Sequence, residues 1–140
     1  MHRPRLLVIA LAILIASGSA VLAANPHFVS GPTFNANDGA LTATGKVAGL
    51  GNRDVTIVLE ATGVTTCRNR GGNVPPGQTE TVSGQVSNLR PENGQVTFSV
   101  TTASVSNPCP DRMAPNTTFT SATLTIFQGG RVVLQQTFTS

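Results

Sequence analysis

Neither Trp nor Tyr occurs in the 140-residue chain, and aromatic residues make up only 4% of it. A sugar site built on flat aromatic platforms is therefore disfavoured, and so is a single-strand nucleic-acid groove, which stacks bases on exposed rings. Charge is equally scarce, at 11% of residues. Of the nine Lys+Arg, Arg3 and Arg5 fall in the first five residues, leaving seven against six Asp+Glu. Such a near balance provides no basic footprint for nucleic acid. Beyond position 23 the only histidine is His27, so a Ser-His-Asp arrangement has a single base to draw on. No Gly-x-Ser-x-Gly segment supports one. The carboxylates Asp38, Asp54, Glu60, Glu80, Glu92 and Asp111 mostly flank turn residues, which reads as solvated charge and not as a paired acid and base. Nothing here calls for a cofactor or a metal, and the expectation is a protein without catalytic activity.

What is present begins with a leader. Met1–Arg5 is basic, Leu6–Ala16 is an unbroken apolar run, and small residues lead to Val21-Leu22-Ala23. That order is a secretory signal peptide, expected over residues 1–23 with cleavage after Ala23. The apolar run would span roughly 16 Å as helix against about 30 Å of hydrocarbon, which argues against a retained anchor. Residues 24–140 are then expected as one secreted domain with no membrane attachment.

That segment is rich in Thr and Val and punctuated by Gly and Pro, a composition of strands and turns. Val55, Ile57, Leu59 and Ala61 alternate with polar or outward positions, and Val96, Phe98 and Val100 do the same. Further strands are expected at Phe28–Val29 with Thr33–Ala36, and over 40–47, 79–86, 118–127 and 131–139. The fold class is all-β, an antiparallel two-sheet sandwich of seven or eight strands, immunoglobulin-like in general architecture. For the last hairpin, a three-residue Gln128-Gly129-Gly130 loop pairs Ile126 with Val132 and Leu124 with Leu134. That register places all four on one face, whereas a two-residue Gly129-Gly130 turn splits them.

Cys67 and Cys109, in an exported chain, are expected to form a disulfide, which would join two irregular segments. The first runs from Cys67 through Arg68, Asn69, Arg70 and Gly71-Gly72-Asn73 to Gln78. The second runs from Ser106 through Asp111 and Arg112 to Pro115. Arg68, Asn69, Arg70, Asn73, Asp111 and Arg112 are the candidate contact residues, carried on loops over a rigid scaffold. The competing reading is a crossover between sheets whose arginines are merely solvated.

Asn25-Pro26-His27-Phe28, Ala48-Gly49-Leu50-Gly51-Asn52, the Cys-x-Asn-x-Gly-Gly-Asn-x-Pro run at 67–75, Thr81-Val82-Ser83-Gly84 and Asn107-Pro108-Cys109-Pro110 together resemble a group of short secreted bacterial proteins. The resemblance supports export and the pairing of the two cysteines, and it implies no activity, ligand or catalytic residue. The expected function is a secreted, non-catalytic binding or structural module that meets an extracellular macromolecule. The alternative is a secreted inhibitor presenting Arg68–Gly72 to an enzyme cleft.

Overall fold

A computed structural model describes residues 25–69, 71–72, 77–110 and 113–140. The expected leader and cleavage site lie outside these residues. Seven strands form: β1 (His27–Asn37), β2 (Ala40–Ala48), β3 (Val55–Arg68), β4 (Gln78–Leu89), β5 (Val96–Thr101), β6 (Ala114–Gln128) and β7 (Arg131–Thr139). Every pairing is antiparallel, in a three-stranded sheet ordered β1-β2-β5 and a four-stranded sheet ordered β4-β3-β6-β7. The described chain is thus a two-sheet β-sandwich. Its fourth strand pairs with β3 and not with β5, so the sheets divide three and four.

The period-two reading accounts for the core. Val55, Ile57, Leu59 and Ala61 of β3 are buried and face Val96, Phe98 and Val100 of β5 across the sandwich, with Leu124 and Ile126 of β6 beside them. Along β3 and β5 the alternate positions are more exposed, as a pleated strand with one inward face requires. Phe138 of β7 closes the open side between the sheets, its ring 5.2 Å from Phe34 and 6.2 Å from Phe28 of β1.

The strands run further than their apolar stretches. β3 continues six residues past Thr62 to Arg68, and β6 begins at Ala114, four residues before Thr118. Each extension pairs with the other, Gly63 opposite Phe119 through Arg68 opposite Ala114. Their polar inner positions are satisfied locally: Thr65 and Thr117 hydroxyls meet at 2.8 Å, with Thr65 buried. Cys67 and Arg68, expected in an irregular loop, are therefore strand residues.

The last hairpin also departs from expectation. Gln128 pairs with Arg131, so Gly129-Gly130 is a two-residue turn, and both glycines have positive φ (63° and 77°) as a type I′ turn demands. The register then shifts between Ile126 and Phe127, leaving Val133 as an extra residue: Phe127 pairs with Val132, and Ile126 with Leu134. This bulge does the work assigned to a longer loop, since Val133 and Leu134 both pack on the core. Val132 goes to the outer face, where it is 52% exposed.

Two buried residues lie where the sequence reads as punctuation. Leu50, between β2 and β3, is fully buried. Gln128 is 2% exposed and its side-chain amide donates to the Leu50 and Arg53 carbonyls at 2.6 and 2.7 Å, fixing that loop onto the sheet.

Candidate binding end of the sandwich

Strand direction collects three features at one end of the molecule: the β1–β2 turn, the β3–β4 connection and the long β5–β6 connection. The β5–β6 connection leaves the first sheet as a strap hydrogen-bonded at successive points. Thr102 N–H donates to the Leu41 carbonyl at 2.9 Å, while the buried Thr102 hydroxyl oxygen accepts from Leu41 N–H at 3.0 Å. Ala103 N–H then donates to the Ser83 carbonyl of β4, and Val105 N–H to the Gly39 carbonyl of the β1–β2 turn, at 3.0 and 2.8 Å. Ser106 N–H donates to the Glu80 carboxylate at 2.8 Å, with the Ser106 hydroxyl 3.4 Å from its other oxygen. Glu80, read from sequence as solvated, is instead an acceptor that holds the strap to β4.

The strap ends in the disulfide. Cys109 is bonded to Cys67 with Cα atoms 5.5 Å apart, and its N–H donates to Asn107 Oδ1 at 2.9 Å. The bond joins the last turn of the strap to the end of β3, where Cys67 stands opposite Pro115 of β6. The pairing expected of the two cysteines is present.

Among the candidate contact residues, Arg68 is exposed at the end of β3, and Asn69 follows it half-buried. Gly72 N–H donates to the Asn69 carbonyl at 3.0 Å, so the chain turns directly after the anchored cysteine. Arg70, Asn73, Asp111 and Arg112 lie outside the described residues. Two of the six candidates are therefore placed at the disulfide end.

The sequence did not indicate the cleft between the sheets at this end. One lobe, about 520 Å³, is lined by the β1–β2 turn, by Val105–Asn107 of the strap and by Thr65, Asn116 and Thr117. A second lobe, about 410 Å³, is lined by Phe34, Leu41 and Phe138 together with β6 residues 117–122, Phe119 and Ala122 among them. Ala36, Thr117 and Phe119 border both. The first lobe is amide- and hydroxyl-lined and the second apolar. The signal available in the sequence was the continuation of the β3 period beyond Ala61 into Gly63 and Thr65. Thr65, a polar residue on the inner phase, lines the first lobe, whereas Gly63 before it is covered by the Phe119 and Thr117 side chains.

No matching family model, curated protein or solved structure was found for the chain. The remaining chemistry-bearing residues are dispersed. His27 is exposed at the start of β1, at the opposite end, where its Nδ1–H donates to the Asn25 carbonyl at 2.8 Å. Asp54 pairs with Arg90 at 3.5 Å, both largely exposed, and Glu60 is exposed on the outer phase of β3. Among the described residues no three His, Cys, Asp or Glu side chains gather as metal ligands would.

Proposed function

We propose that the protein is a secreted, non-catalytic extracellular binding or structural module that meets a macromolecular partner with its disulfide end. The observation that carries this reading is the Cys67–Cys109 bond at the junction of β3, the strap and β6. A bond there restrains the roots of two irregular connections at once, and restrained loops lose less freedom when they bind. Export, which the leader pattern suggests, suits a disulfide-stapled domain.

Arg68 and Arg70 are the proposed contacts, with Asn69, Asn73, Asp111 and Arg112 as neighbours. The test is affinity capture from culture medium by the oxidised protein, beside the Arg68→Ala/Arg70→Ala variant. Capture should fall in the variant while its thermal melt stays within about 0.5 kcal/mol of the parent. A variant that captures and melts normally excludes these arginines as contacts. A melt lowered well beyond that range gives them a structural role.

The inhibitor reading draws on the hydrogen bond from Gly72 N–H to the Asn69 carbonyl, which turns the chain just after an anchored residue. It requires the captured partner to be an enzyme whose activity falls on binding.

A further inference from the structure

Leu41, Ala43 and Val47 of β2 are buried in the core, so Thr42, Thr44 and Lys46 point away from it. The register aligns these outward residues in rows across the three-stranded sheet: Ser30, Lys46 and Thr97 in one, Thr33, Thr44 and Ser99 in the next. Lys46 is half-buried and the other five are exposed. A third row closes on itself, because the Thr42 and Thr101 hydroxyls meet at 2.7 Å. The outer face of the four-stranded sheet does the same, with Thr62 bonded to Thr81 and Thr123 to Thr137 at 3.0 and 2.8 Å. In the first two rows, by contrast, the five hydroxyls have no hydrogen-bond partner among the described residues.

These two rows line a depression of about 550 Å³, completed by Gly31, Gly45 and Phe98. Gly31 brings no side chain to it, and β1 shifts register on either side of Ser30, which breaks the regular sheet surface there. A second depression, about 450 Å³, adjoins the first through Lys46 and Thr97 and runs to the β4–β5 connection at Arg90, Glu92 and Asn93. Lys46 is the only lysine in the chain. Among the described residues it has no ion-pair partner, and the first depression has no carboxylate in its lining. Arg90 is already paired with Asp54 at 3.5 Å, and Glu92 lines the second depression alone.

The two rows hold neither an apolar side chain nor a ring, which a protein partner would want at the centre of its contact. Nucleic acid would want several cations and rings to stack on. Free hydroxyls around one unpaired ammonium match a ligand that is itself rich in hydroxyls and carries well-separated negative charges. We infer that this face is a second binding surface, for a uronate-bearing polysaccharide. Lys46 takes a sugar carboxylate, in hydrogen bonds that charge makes stronger than neutral ones. Ser30, Thr33, Thr44, Thr97 and Ser99 exchange hydrogen bonds with the sugar hydroxyls, each able both to donate and to accept. The second depression takes the ring that follows along the polymer. One charge to a ring suits a lone ammonium, whereas a densely sulfated polymer calls for several cations. The site needs no aromatic platform, in keeping with a chain that has neither Trp nor Tyr. It goes beyond the disulfide-end reading and shares no residue with it.

The test is affinity electrophoresis of the oxidised protein in gels holding polygalacturonate, alginate or hyaluronate. Dextran, dextran sulfate and fully methyl-esterified polygalacturonate are the comparisons. At least one uronate polymer should retard the protein, while dextran and the methyl ester should not. Lys46→Gln should weaken that binding at least about tenfold, and Lys46→Arg should keep most of it. Thr44→Val removes one hydroxyl, keeps the β-branched shape of the strand, and should weaken binding about threefold. Amide chemical shifts should move at 44–46 and 97–99 when uronate oligosaccharide is added. The contrast between polygalacturonate and its methyl ester uses the unaltered protein, so it stands even if a variant misfolds. No retardation by any uronate polymer, equal retardation by the methyl ester, or unchanged binding by folded Lys46→Gln would overturn the inference. Retardation by dextran sulfate alone would also overturn it, as plain ion exchange, and so would shifts confined to the disulfide end. Arg68→Ala/Arg70→Ala should bind the polymer as the parent does, so the two surfaces fail separately; loss of polymer binding in that variant would place the ligand at the disulfide end instead.

Discussion

Single residues hold this sandwich together where the apolar pattern is silent. Gly84 of β4 is one: a Cβ there would collide with the Thr101 carbonyl oxygen, because β4 passes close over the end of β5. Gly84→Ala should destabilise the fold by about 1–3 kcal/mol, the usual cost of forcing extra volume into a packed site, measured by denaturant unfolding. A change below 0.5 kcal/mol, on the same order-of-magnitude scale, would show that β4 can move aside. Gln128 is another. Gln128→Ala leaves the Leu50 and Arg53 carbonyls without their donor, and roughly 1–3 kcal/mol should be lost. Neither residue was legible beforehand. Period-two reading finds Val55, Ile57, Leu59 and Ala61 because each repeats its neighbour's environment. Gln128 and Leu50 are buried by contacts with residues distant in sequence, and no local pattern reports them.

Strand ends and turns obey pairing more than hydropathy. The polar run Gly63–Arg68 is strand because β6 offers it a partner over its full length, and the Thr65–Thr117 hydroxyl pair satisfies the inner face. The last hairpin makes the same point. A core-face argument put Leu134 on the side of Ile126, but it paired Ile126 with Val132 and Leu124 with Leu134 through a longer turn, whereas the extra residue is Val133, Leu134 stands opposite Ile126 and Val132 faces out. The two registers are separable. Deleting Val133 should leave Leu134 opposite Ile126 and cost no more than about 2 kcal/mol, the scale of one buried Val side chain. Interstrand proton contacts between Ile126 and Leu134 would confirm the register. Their replacement by an Ile126–Gln135 pairing would contradict it.

At the scale of the molecule, the disulfide joins an otherwise hydrogen-bonded strap to the second sheet. It closes a 42-residue separation. Removing it with Cys67→Ser/Cys109→Ser should cost about 2–4 kcal/mol while the far-ultraviolet β signature persists, because the apolar core lies away from it. Loss of the β signature at room temperature would mean that the bond specifies the fold as well as stabilising it. The architecture and the cysteine pair could be read from the sequence. The cleft could not, since β1, the strap, β3, β6 and β7 each supply part of its wall. The central claim is that this end meets the partner, and amide exchange of the oxidised protein with and without a captured partner tests it most directly. The account predicts slowed exchange at Arg68, Asn69 and the described strap residues, with the turns at 51–54 and 129–130 unchanged. Protection confined to those turns at the opposite end would contradict it.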